Sequence, residues 1–181
     1  MVARLSQSDL IDIQGSLDPA LNLLETLTDI LGGAVIEAGF LAPEADREYA
    51  ASDQNVATIA YFHEFGTENA DGSERMPERP FMRRAIETDS STWADPLTDR
   101  VLTSTAPAIM RDGLRNVAGS AVRSIHNQLQ TTTQWAAPLS AVTIKRKNGN
   151  AWPLHDTLQM SYSLSAEATD GRKKRAGRVT P

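Results

Sequence analysis

The sequence predicts an α+β fold, with long helices packed on a small, mostly antiparallel β-sheet. Apolar residues recur at steps of three and four over 17–31 and again over 107–131, the period of a helix with one buried face. Two short stretches, 34–41 and 158–165, alternate apolar with polar or small residues as a half-buried strand does. The chain has 181 residues, 40% hydrophobic and 23% charged, enough for one domain with a sizeable core.

The elements follow in order. In LDPALNLLETLTDIL, Ser16 or Asp18 is a candidate N-cap, and Leu21, Leu24, Leu27, Ile30 and Leu31 form the apolar stripe. Gly32 and Gly33 stop that helix, and AVIEAGFL (34–41) reads as a strand. Residues 42–54 are polar and turn-rich. NVATIAYFHEF (55–65) fits a short helix capped by Asn55, with Ile59, Phe62 and Phe65 expected on its core side. GTENADGSERMPE (66–78) reads as a loop longer than a connection needs, which suggests a binding role. A helix is predicted from about Phe81, and Pro96 marks a kink or a new start. Pro107 opens the long helix 107–131, where Gly113 and Gly119 suggest close packing. Ser140 caps a short helix over 140–147, and LQMSYSLS (158–165) reads as a strand.

Charge divides the chain. Its net charge is −5, but the last eleven residues, GRKKRAGRVTP, hold five of the 18 basic residues and no acid. The expected organisation is an N-terminal arm (1–16), a single α+β domain (17–166) and a basic C-terminal tail (167–181). The tail is expected to be mobile in the isolated chain, with Arg172, Lys173, Lys174 and Arg175 available to a neighbour. The acidic body is no duplex-DNA surface. Cysteine is absent, so no disulfide or thiolate metal site exists. No apolar run reaches signal-peptide or membrane-span length, and a soluble, unsecreted protein is expected.

His63 and Glu64 in YFHEFGT resemble the opening of a zinc-hydrolase motif. That motif needs a second His four residues after the first, and Thr67 stands there. No metal or cofactor is therefore expected. His155, Asp156, Ser161 and Ser163 are a poor triad, because neighbours on a strand point to opposite faces and no G-x-S-x-G elbow is present. Phosphate-loop and dinucleotide fingerprints are also missing, so no enzyme is expected.

Three blocks stand in order: GAVIEAGFL, then VATIAYFHEFGT…MPERPFMRRAIE, then WAAPLSAVTIKRKNGNAWPLHDTLQMSYSL. Over about residues 33–165 they resemble the virion-morphogenesis or tail-completion proteins of the tailed-bacteriophage neck. The first carrying residues are Glu64, Phe65, Gly66, Thr67, Pro77, Arg79, Pro80, Phe81, Met82 and Arg83. In the later block they are Pro138, Leu139, Ser140, Thr143, Ile144, Lys147, Pro153, Leu154, Asp156, Thr157, Met160 and Ser163. Two positions depart from the pattern. Leu158 replaces a glycine, so its backbone is expected not to need positive φ. His63 replaces a usual asparagine.

The resemblance implies a structural virion protein, folded and assembled in the host cytoplasm. It would form a ring, commonly a hexamer, that joins the tail tube or its terminator to the head connector. Head-closure or minor tail proteins are the alternative in the same class. From a different class, the alternative is a small nucleic-acid-binding module using the basic tail. The stiff, Arg- and aromatic-rich segment 66–84 is expected to contact another subunit through Glu64, Arg79, Pro80, Phe81, Met82, Arg83 and Arg84, with Phe81 as anchor. Glu64 is expected to face outward and to pair with Arg79, Arg83 or Arg84.

Overall fold

A computed structural model describes residues 22, 24–50, 52–103, 106–155, 158–172 and 175–181. The arm 1–16, the candidate caps Ser16 and Asp18 of the first helix and Leu21 of its predicted stripe lie outside the described residues, as do Lys173 and Lys174. Residue 22 and residues 24–31 are helical (α1), and Ile30 is wholly buried. Strand β1 (Val35–Phe40) follows the double glycine. Helix α2 (Val56–Phe65) starts at Asn55, whose side chain accepts from the Thr58 amide. A short hairpin of β2 (Thr67–Glu68) and β3 (Glu74–Met76) then leads into α3 (Phe81–Asp89).

Helix α4 (Asp95–Thr103) has Pro96 in its first turn, and α5 (Pro107–Gln130) begins on its proline. Short helices α6 (Thr132–Trp135), α7 (Ala141–Arg146) and α8 (Gln159–Ser163) precede β4 (Leu164–Thr169) and β5 (Arg175–Val179). This is the α+β class the sequence predicts, with one long helix against an antiparallel sheet of order β1-β4-β5.

Helix α5 is the backbone of the core. It packs on all three strands and on α3 and α4. Met110, Leu114, Ala118, Val122, Ile125 and Leu129 form its buried stripe. Gly113 lets α4 approach, since a Cβ there would lie 2.8 Å from Leu97 Cδ1. Asp170, just past β4 and buried, receives the Arg111 Nε hydrogen bond at 2.6 Å.

Four expectations change. First, residues 66–78 are a hairpin, whose tip is closed by Asp71 accepting from the Ser73 amide and hydroxyl. Second, residues 158–163 are not strand. Leu158 takes a left-handed conformation, φ 58°, and starts α8, so the position does need positive φ. The Gln159 side chain then clamps this turn to the 48–50 loop, accepting from the Ala50 amide and donating to the Glu48 carbonyl.

Third, the basic tail is an edge strand. From Ala166↔Val179 to Thr169↔Arg175, β5 pairs with β4. Arg172 pairs with Asp29, and Arg178 with Glu44. Arg178 also donates to the Leu41 and Ala42 carbonyls and to Ser165 Oγ. The domain therefore runs past residue 166 to the end of β5. Fourth, α2 is rotated from the predicted face. Val56, Ala60 and Glu64 are buried, whereas Phe65 is half exposed. No helix among the described residues is long and apolar enough to cross a membrane.

Candidate functional site

The residues that carry the first block meet where α2 ends and α3 begins. Any helix starts with four amides that lack a partner inside the helix, and α3 has Pro80 at its N-cap, with no side chain able to serve them. Glu64 supplies the cap from the neighbouring helix. Its Oε2 accepts from the Met82 amide and its Oε1 from the Arg83 amide, each at 2.9 Å. Pro80 has no amide proton and the Phe81 amide is taken by the Arg79 carbonyl, so all three donors ahead of the first helical bond, Arg84 amide to Pro80 carbonyl, are satisfied. A carboxylate at the positive end of the helix dipole adds to this.

Arg83 closes the latch. Its Nε reaches Glu64 Oε1 at 3.2 Å, and its Nη2 donates to the Glu64 carbonyl and to Glu78. Its guanidinium lies 5.3 Å from the centre of the Phe65 ring. Of the three arginines proposed for Glu64, Arg83 is the partner, but Glu64 is buried and does not face out. Gly66 makes the geometry possible. Its φ is 70° with extended ψ, a region only glycine enters freely, and a Cβ there would lie 2.8 Å from the Met76 carbonyl oxygen. The chain turns at Gly66 straight into β2, so Thr67 cannot share a helix face with His63.

The predicted interface set divides. Phe81 is wholly buried and meets Phe40 edge to face at 6.1 Å, so it is a core residue and not an interface anchor. Glu64 and Arg79 are buried within the chain as well. Pro80 and Met82 are half-buried, with Met82 Cε tight over Gly39. Arg84 donates to Gln128 and lies over the Trp135 ring at 5.4 Å. Arg83 keeps 44% of its side chain exposed.

The second block is also a set of braces. Ser140 caps α7 by accepting from the Thr143 amide. Lys147 donates to the Trp152 and His155 carbonyls, and the Trp152 and His155 rings stack at 4.5 Å. Pro153, Leu154, Met160 and Ser163 are buried, while Asp156 and Thr157 lie outside the described residues.

Between the two blocks runs a groove of about 1020 Å³. It is lined by α2, the hairpin, the 77–79 segment and the start of α7. His63 lies there, and burial, with Arg79 and then Lys147 nearby, lowers its pKa to about 4, so the ring is neutral. Neither His63 Nδ1 nor Arg79 Nε has a hydrogen-bond partner among the described residues. Sequence reasoning missed this groove because its walls come from segments some 60 residues apart.

The chain matches no family model, no curated protein and no solved structure.

On its outer face the latch displays two aromatic rings. Tyr61 and Phe65, one helical turn apart on α2, are 60% and 50% exposed with ring centres 4.7 Å apart. Arg83 flanks them. The 3.6-residue period that buries Val56, Ala60 and Glu64 turns these two outward, and the signal was present in the same ten residues.

Proposed function

We propose that the chain is a structural protein of a tailed-bacteriophage neck, a tail-completion component. It forms a ring with copies of itself between the head connector and the tail. The observation that carries this reading is the Tyr61–Phe65 pair beside Arg83, held in place by the buried Glu64 latch. Aromatic and Arg side chains are the enriched anchors of protein interfaces. A rigid mount means that little conformational freedom is lost on docking. A closed ring needs two different complementary patches on each copy. Tyr162 on α8 and Val142 on α7, 75% and 70% exposed, offer apolar surface for the second. The sequence blocks that resemble the neck family converge on the latch and the adjoining braces, which supports the assignment to that location.

In the basic tail Arg172 pairs with Asp29 and Arg178 with Glu44, while Lys173 and Lys174, on which the nucleic-acid alternative also rests, lie outside the described residues. The test is sedimentation of Tyr61→Ser/Phe65→Ser against the parent chain. Phe65 is half-buried under Arg83, so stability is expected to fall by only about 1–2 kcal/mol and the chain to stay folded, while assembly weakens at least about tenfold. Unchanged assembly contradicts the reading.

A further inference from the structure

The three-stranded sheet ends in two unpaired edges. Among the described residues no strand lies beyond β1 on one side or beyond β5 on the other. On an edge strand every second residue turns its amide and carbonyl away from the sheet, where another strand can bond them. The edge at β1 is also short of cover. Ile36, Ala38 and Phe40 share the core face with Ala168, Ala166 and Leu164, but they stay partly exposed while those three are wholly buried. Proline and lysine, which commonly guard an edge, are absent from VIEAGF.

Charge selects the strand that fits. β1 carries one acid, Glu37, and no base, whereas β5, RAGRV, carries two arginines and no acid. Glu37 is exposed, has no ion-pair partner among the described residues, and stands directly across from Glu167. A like-charged cross-strand pair is unfavourable, and a cation on the next strand relieves it. Pairing β1 with β1 of another copy adds a further Glu37, and pairing β5 with β5 sets arginines side by side. Charge therefore disfavours both two-fold dimers. Pairing β1 of one copy with β5 of the next sets acid beside base. We propose that this head-to-tail pairing joins neighbouring copies of the chain, with Arg175 answering Glu37, since Arg178 is engaged with Glu44. It rests on the self-assembly reading above and names the backbone contact of that assembly. β1 and β5 both run antiparallel to β4, so they are parallel to each other. Successive copies in a ring are turned by only a fraction of a full turn, so the two strands meet in parallel. The contact is heterologous, the kind that a ring repeats.

The test follows assembly of the full chain by sedimentation, with hydrogen exchange read at single amides. In the assembled parent chain, the alternate amides of β1 and β5 that face away from β4 are expected to exchange at least about tenfold more slowly than in dilute monomer. Glu37→Arg and Arg175→Glu are each expected to weaken association about tenfold. An equimolar mixture of the two variants is expected to recover it, because each altered β1 then meets an altered β5 and each native β1 a native β5. A variant that had merely failed to fold is not rescued in this way, and exchange in the parent chain then decides. An assembled parent whose β1 and β5 amides exchange as in the monomer overturns the edge pairing alone. So does a mixture of folded variants that assembles no better than either, or a β1 edge already protected in dilute monomer. A chain that sediments as a monomer at every concentration sinks the assembly reading itself, and this contact with it.

Discussion

Replacing Glu64 by alanine removes two hydrogen bonds to the start of α3 and the inner partner of Arg83 in one step. Buried amides left unsatisfied cost roughly 1–3 kcal/mol each, so a loss of about 2–4 kcal/mol is expected. Denaturant titration would measure it, with Glu78→Ala as control. That surface partner of Arg83 is worth less than about 1 kcal/mol. Equal losses for the two variants would refute the trans-capping account. His63 makes a pH prediction. Its folded pKa lies near 4 and its usual value at 6.5, so the unfolded chain takes up the proton first as pH falls. Stability is full above pH 6.5 and is lost between 6.5 and about 4, by roughly 3 kcal/mol. His126 and His155 are also lowered by burial and act in the same direction. His63→Asn is expected to flatten most of this slope, as followed by thermal unfolding at stepped pH. An unchanged slope would place the effect elsewhere. Sequence alone supplied Arg83 as a partner for Glu64 but not the burial, because a helix start 18 residues downstream leaves no local trace.

At the scale of elements, Leu158 is the sharpest disagreement with the sequence. A β-like alternation over 158–165 is also compatible with one turn of helix followed by a strand, and period alone does not separate them. The decision is made by Gln159, whose amide bonds to backbone some 110 residues away. The resulting left-handed Leu158 costs about 1–2 kcal/mol that glycine does not incur. Leu158→Gly is therefore expected to raise stability by up to about 1 kcal/mol once the half-exposed side chain's contacts are subtracted. A destabilised variant would mean that the side chain matters more than the backbone. The long helix, by contrast, was legible in full, since its buried stripe repeats over 24 residues and outweighs its two glycines. β5 was not legible. RAGRV has a basic composition typical of a solvated end, and it pairs because β4 presents an open edge and Glu44 receives Arg178.

At the scale of the whole molecule, the sequence blocks mark places where distant elements are locked together. Glu64 with Arg83 fixes α2 to α3, Lys147 fixes the 150–155 turn, and Ser140 fixes the start of α7. A frame of this kind holds its outward groups, Tyr61 and Phe65 among them, in a set relation to the groove. Repeated contacts around an axis require such rigidity, because small angular errors accumulate with each copy. The central claim concerns where that frame sits. The most direct measurement is electron microscopy of tailed particles labelled with gold-conjugated antibody against this chain. The account predicts label confined to the junction of head and tail. Label along the tail shaft, on the capsid, or on no particle at all would contradict it.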